Sequence, residues 1–225
     1  MNDIAAVAAV ATLGLALQAF GGPPIHIGGR LELMVDDYLI EELRGGAQLR
    51  LHPPVRRDVA MVTDAPWEGN ACHYRSVFQD GDLYRMYYSA IQYVTGGEES
   101  KALASHPWFM AYAESRDGIH WTKPELGIVE FNGSKANNIV VSAASVTGAS
   151  VDPAHCAVFK DANPDCPPDA RYKALLVGSK PRGLYALKSA DGLHFSLLSD
   201  KPILTKGAFD SQNLAFWDSV RQEYR

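Results

Sequence analysis

A repeat limits what this chain can fold into more than any other feature. Ser115-Arg116-Asp117-Gly118-Ile119-His120-Trp121 matches Ser189-Ala190-Asp191-Gly192-Leu193-His194-Phe195, sharing S-x-D-G-[IL]-H-[WF]. Upstream of the two copies, Val77-Phe78-Gln79-Asp80 with Tyr84-Arg85 matches Val158-Phe159-Lys160-Asp161 with Tyr172-Lys173. A third copy of that upstream half follows at Ala215-Phe216-Trp217-Asp218 with Tyr224-Arg225. Self-similarity in fixed order marks a supersecondary unit that stacks on its neighbours. Around it stand short apolar and aromatic runs broken by Asp-Gly turns, a hairpin signature.

Each unit reads as four antiparallel strands. The first ends at F-x-D, the second carries Y-[RK], the third ends at S-x-D-G, and a fourth follows. The fourth strand is expected at about Ile128–Phe131 in the first unit and Pro202–Thr205 in the second. Four strands at this period predict an all-β fold, a β-propeller. The units fall at about 61–135, 136–205 and an incomplete 206–225, so about two and a half blades are present, with 22–60 as an entry segment. Val35–Ile40 reads as a strand or a short helix. The aromatic closing each S-x-D-G-x-H run is expected between neighbouring blades. Cys72, Cys156 and Cys166 have no metal-ligand spacing and read as free thiols, a Cys156–Cys166 bridge remaining open.

Charge and composition narrow the function classes. The formal net charge of −5, with Lys and Arg scattered, leaves no basic stripe for nucleic acid or an anionic membrane surface. Ile4 to Leu17 is an apolar run followed by Gln18-Ala19-Phe20-Gly21. It reads as a signal peptide over 1–21, implying a secreted or periplasmic protein. Met1-Asn2-Asp3 lacks the usual positive charge, and the other readings are a short membrane anchor or a start codon placed too far downstream.

In a propeller the segments leading into the first strand of each unit, and the loops between second and third strands, share one face. Each unit offers one carboxylate there: Glu68, Asp152 and Asp210. Acids with separated pKa values are what glycosidic cleavage needs, one to protonate the leaving oxygen and one as base or nucleophile. The alternative for each is a solvated loop carboxylate. The same neighbourhood holds Trp67, Asn70, His155 and Asn213. The long connection Ser89 to Phe109 adds Tyr93, His106 and Trp108, residues suited to walls of a sugar pocket. Asp80, Asp161, Asp218, Asp117 and Asp191 fall on the opposite face as turn caps, with His120 and His194 as packing residues beside them.

Met34-Val35-Asp36-Asp37-Tyr38-Leu39-Ile40, the run Tyr112 to Trp121 with Thr122-Lys123-Pro124, and Phe209-Asp210-Ser211-Gln212-Asn213 resemble exported bacterial proteins of the five-bladed β-propeller glycosidase superfamily. This is the group of family 32 and family 43 glycoside hydrolases. The resemblance implies five blades, and hence a longer protein than 225 residues. It also implies three acids at the tops of successive blades, similar to Glu68, Asp152 and Asp210. The invertase-type N-D-P-N-G and R-D-P motifs are absent. The reading that follows is a glycoside hydrolase acting on poly- or oligosaccharide without a cofactor or metal. The alternatives are a non-catalytic propeller that binds carbohydrate or protein, and a six-bladed sialidase-like ring.

Overall fold

The protein is described by a computed structural model covering residues 22–93 and 106–225. The expected leader over 1–21 and the middle of the Ser89–Phe109 connection lie outside the described residues. The chain divides into two compact units, Met1–Arg56 and Arg57–Arg225. In the first, the described residues form turns and extended chain without strand or helix. Val35–Ile40 is therefore neither of the expected elements. The Asp36 carboxylate accepts the Tyr38 N–H at 3.1 Å and Asp37 C=O accepts the Ile40 N–H, so paired aspartates hold the backbone in a turn. No helix among the described residues is long and apolar enough to cross a membrane.

The second unit is built of antiparallel strands. The first sheet is β1 (Ser76–Asp80), β2 (Leu83–Ala90), β3 (Phe109–Ser115) and β4 (Ile139–Ser142), neighbours in chain order. The next is β5 (Val151–Lys160), β6 (Tyr172–Ser179), β7 (Arg182–Ser189) and β8 (Ser196–Leu197), again in chain order. A hairpin of β9 (Trp217–Asp218) and β10 (Glu223–Tyr224) follows. The described residues close no ring.

The fourth strand of the first sheet departs from expectation. Ile128–Phe131 ends in the tight turn Asn132-Gly133, both at positive φ, and Phe131 bridges back to Ser134. The next apolar run, Ile139-Val140-Val141, takes the edge beside β3. In the second sheet β8 lies upstream of the expected position, and Leu204 alone of the expected segment bridges to Leu184.

Side-chain alternation explains why the sheets stack. Along β2, Tyr87 enters a core shared with the second sheet, while Met86, Tyr88 and Ala90 enter a core on the opposite face. β3 divides the same way, Met110 and Tyr112 against Phe109, Ala111 and Ala113. On the second sheet Leu176, Tyr185 and Leu187 meet the first sheet, while Leu175, Leu184 and Ala186 face Phe209 and Ala215. Strands buried on both faces cannot alternate polar and apolar residues, so the sequence shows continuous apolar runs. Phe195 packs into the shared core, edge-on to Tyr87 at 6.2 Å, as expected of the aromatic after D-G-x-H. Trp121 takes the corresponding place on the outer face of the first sheet.

Asp117 and Asp191 cap their turns. Asp117 Oδ1 accepts the Ile119 and His120 N–H groups at 2.8 Å, and Asp191 Oδ1 accepts those of Leu193 and His194. His120 and His194 are exposed and bonded through Nδ1 to the same carboxylates, so they pin turns rather than fill a core. Asp80 is different. It caps no backbone group. It accepts Arg85 Nε at 2.7 Å on its own sheet, and Lys160 Nζ and Tyr172 Oη, both at 2.5 Å, from the next. The Arg85 guanidinium lies over the Tyr172 ring at 5.0 Å. Asp161 repeats this, bound by Lys173 of its own sheet and by Tyr224 Oη of the following hairpin, while its other oxygen caps Asn163. Lys173 Nζ stands over the Tyr224 ring at 5.5 Å.

Gly192 sits at a close approach of the two sheets. Its φ is +80°, and a Cβ there would stand 2.6 Å from Tyr87 Oη, which donates to the Gly192 carbonyl. The D-G dipeptide thus serves both turn geometry and sheet contact.

Removing Asp80 strands Arg85, Lys160 and Tyr172 at the interface. Asp80→Ala is expected to cost about 2 to 3 kcal/mol in urea unfolding, below the range for a fully buried ion pair because the group is only partly buried. Burial pushes the Asp80 carboxyl up, but hydrogen bonds from Lys160 and Tyr172 and the Arg85 charge outweigh it and hold it at about 2. A carboxyl depressed on folding adds stability that is present above its unfolded pKa of about 3.9. That stability is lost as pH falls from there through about 2. Unfolding free energy measured against pH should show this loss, and Asp80→Asn should flatten it.

Candidate functional site

The candidate site grows from irregularities at the entries of β1, β5 and β9. Ahead of β1, Ala71 bridges Ile91 and His73 exchanges hydrogen bonds with Ser89, so the strand begins earlier and is interrupted at Tyr74, whose φ is +51°. In β5 the register jumps between Asp152, opposite Val177, and Ala157, opposite Leu175, leaving Pro153 to Cys156 facing Leu176 alone. Ahead of β9, Phe209 and Ser211 have φ values of +53° and +63°. Bulges re-aim side chains, and left-handed non-glycine residues cluster where a site demands them.

These three irregular segments meet. His155 Nδ1 lies 2.6 Å from Asp152 Oδ2, and Asp152 Oδ1 accepts the Ala154 N–H at 2.8 Å. The Tyr74 and His155 rings are 5.2 Å apart, and Ser211 Oγ donates to Tyr74 Oη at 3.1 Å. Trp108 stands 6.4 Å from the His155 ring and 6.2 Å from Tyr93. Tyr93 in turn meets His73, with Oη 3.3 Å from His73 Nε2. Two rings, Tyr74 and Trp108, therefore flank the Asp152–His155 pair, with Tyr93 and His73 behind them. Asp152 also borders an open depression of about 410 Å³ with Ser179 and Arg182. With Nδ1 engaged by Asp152, His155 Nε2 is the ring nitrogen left for a ligand. This is the arrangement in which a carboxylate fixes an imidazole's tautomer and direction.

The expected site residues divide into three groups. Asp152, His155, Tyr93 and Trp108 are brought together. Asp210 lies exposed beside Ser211, its Oδ1 accepting the Ser211 N–H at 3.0 Å. Asn70 and Asn213 are braces. Asn70 exchanges two hydrogen bonds with the Tyr93 backbone, and Asn213 reaches the Phe209 and Ser211 carbonyls. Glu68, Trp67 and His106 belong to interior packing.

Glu68 is buried, with Tyr88 Oη donating at 2.6 Å and Lys123 Nζ and the Ala65 N–H both at 2.8 Å. Burial and the Glu68 contact push the Tyr88 hydroxyl well above its ordinary range. Trp67 Nε1 donates to Asn138 Oδ1 at 2.6 Å and packs under the first sheet. His106 sits among Phe109 and Phe131 with Nε2 3.1 Å from the Pro66 carbonyl. Glu68 thus spends its oxygens on a lysine, a tyrosine and a backbone amide inside the fold, apart from the Asp152–His155 cluster.

Tyr74 and Ser211 are site residues that the sequence reading missed. The repeat carried the signal for one of them. Tyr74 stands four residues before Phe78, as His155 stands four before Phe159. All three cysteines are free, and burial pushes the Cys156 thiol up to about 12.

Comparison with known protein families gives no match, nor does comparison with curated proteins. Among solved structures, the chain is similar to a glycosyl hydrolase from Bacteroides ovatus. That structure is 16% identical over 66% of this chain and 39% of that one, with a TM-score of 0.36. The chain thus spans well under half of that relative's length, and at this level the likeness fixes neither fold family nor activity.

The burial contrast between two acids predicts opposite outcomes. Glu68→Gln should lower unfolding free energy by about 3 kcal/mol by leaving Lys123 only the exposed Asp64 carboxylate as a charge partner. Asp210→Asn should change it by less than about 0.5 kcal/mol. Urea denaturation of the two variants tests both.

Proposed function

We propose that the protein recognises carbohydrate at the cluster of Tyr74, Tyr93, Trp108 and the Asp152–His155 pair, on one end of a β-propeller assembled from the repeated sheets. The observation that carries the reading is this convergence of rings around a fixed polar pair. Aromatic faces offer flat apolar contact to the C–H faces of a sugar ring, and a few oriented polar groups choose its hydroxyls. Tyr93 is half exposed, so its ring is available to a ligand. Support for the propeller comes from the innermost segments. Val158 N–H donates to Ser76 Oγ, and Gln212 Nε2 reaches both Ser76 Oγ and the Cys156 carbonyl, so one segment from each of three successive units meets the others. Radial stacking of blades places its first strands together in this way.

Hydrolysis is the second reading, and a specific observation favours it. Asp152 and Asp210 lie on neighbouring irregular segments linked through Ser211, Tyr74 and His155. Two carboxylates suffice for glycosidic cleavage, and their separation decides between inversion and retention. In this scheme Asp152 and Asp210 are that pair of carboxylates, Asp210 the more exposed of them.

A glycan array followed by titration calorimetry tests the first reading. Wild type should bind a saccharide that Trp108→Ala and Tyr74→Ala bind at least about tenfold more weakly, a loss of about 1.4 kcal/mol. Absence of any saccharide binding would overturn it. Reducing-sugar release from the bound glycan, abolished by Asp210→Ala, would establish the second reading. Binding without release would leave recognition alone.

A further inference from the structure

Of the four cations carried by β5 to β8, three end on aspartates: Lys160 on Asp80, Lys173 on Asp161 and Lys188 on Asp169. Arg182 is the exception. It is exposed, it opens β7, and no carboxylate lies within ion-pair distance of it among the described residues. Its Nη2 donates to the Ala208 carbonyl, leaving Nε and Nη1 without a partner among those residues. Arg182 lies opposite Ser179 and Asp152 opposite Val177, so the four side chains share one face of the sheet. They line the depression of about 410 Å³ beside the Asp152–His155 pair. Ser179 Oγ donates to Ser150 Oγ there at 3.2 Å, and both serines are exposed. Both flanks of the depression belong to this chain. Val177 and Phe209 pack against the same apolar cluster, and the Arg182–Ala208 hydrogen bond ties the second sheet to the segment that enters β9. The Asp152 carboxylate is already engaged within its own bulge, by the Ala154 N–H and by His155 Nδ1.

We infer that this depression is an anion subsite of the carbohydrate site, where Arg182 and Ser179 take the carboxylate of a uronic acid or the sulfate of a sulfated sugar. The inference rests on the carbohydrate reading and narrows it to acidic saccharides. Guanidinium donors match an oxyanion in charge and direction together, and such charge-assisted hydrogen bonds are about twice as strong as neutral ones. A neutral sugar displacing water from Arg182 would leave its charge uncompensated, a cost that an anionic substituent removes. Asp152 belongs both to the His155 pair and to the wall of the depression, which makes the two adjacent parts of one site. The rings of Tyr74 and Trp108 beside His155 then serve the face of the sugar, and Arg182 its charge.

Titration calorimetry on the full chain tests the inference, with neutral saccharides each matched by its uronate and its sulfate ester. Wild type should bind an acidic member at least about tenfold more tightly than its neutral partner, the scale of a hydrogen bond to a charged group. Which acidic member it prefers separates carboxylate from sulfate. Raising ionic strength about tenfold should weaken the acidic member and spare the neutral one, because Arg182 is exposed to screening. Arg182→Gln should abolish the preference with neutral affinity unchanged, and Arg182→Lys, which keeps the charge without the fork, should retain part of it. Ser179→Ala, which leaves the Ala208 contact in place, should cost the acidic member about fivefold, the worth of one ordinary hydrogen bond. Affinity for the acidic members no greater than for their neutral partners would overturn the inference and leave carbohydrate recognition standing. So would a preference that survives both Arg182→Gln and Ser179→Ala. Absence of binding to every saccharide would overturn carbohydrate recognition itself, and the subsite with it.

Discussion

The contact on which the rest of the structure depends is the lock formed by an aspartate, a cation of its own sheet and a tyrosine of the next. Its chemistry suits that place. A carboxylate at a sheet interface is costly unless its oxygens are filled, and a buried tyrosine needs an acceptor for its hydroxyl. Asp80 and Tyr172 satisfy each other, and Arg85 neutralises the pair while its guanidinium caps the Tyr172 ring. Apolar faces alone would stack the sheets in many registers. The lock selects one, because the hydroxyl reaches the carboxylate only when the strands are aligned.

With register fixed at one end of β1 and β5, the other end is free to deviate. The locks stand at the turn leaving β1 and β5, while the bulge at Pro153–Cys156 and the left-handed Tyr74 stand at the entry. Each strand therefore carries order at its exit and irregularity at its entry. Ring contacts between Tyr74 and His155 at 5.2 Å need both bulges placed to within a fraction of their own size. The shared core of Tyr87, Tyr112, Cys156, Leu176 and Tyr185 between the sheets transmits that placement. The site sits on loops, but it is aimed by the packing of two sheets.

The repeat made the strand order and the turn caps legible. S-x-D-G-x-H fixed where Asp117 and Asp191 would bind backbone, and the aromatic after it foretold Phe195 in the shared core. Function was less legible, because a carboxylate's role depends on what surrounds it. Glu68 and Asp152 look alike as loop acids in the sequence. Glu68 faces Lys123 and Tyr88, residues remote in the chain, and Asp152 faces His155, three residues on. Asp80 read as a turn cap because its partners Lys160 and Tyr172 lie in another unit. The edge strand Ile139–Ser142 was missed for a local reason: two apolar runs flank Asn132-Gly133, and pairing with β3 chose the second.

The same dependence explains why Asp152 and Asp210 remain chemically unequal. Asp152 spends both oxygens within its own bulge, on Ala154 N–H and on His155, so its charge serves to hold an imidazole. Asp210 spends one on its neighbour's N–H and stays exposed. Any substrate lying against Tyr74 and Trp108 would lie beside the His155 ring. Asp152 thus holds His155, and Asp210 is the freer acid on the facing segment. Recognition without reaction needs only the first two and the rings, which is why binding is the broader claim that this geometry supports.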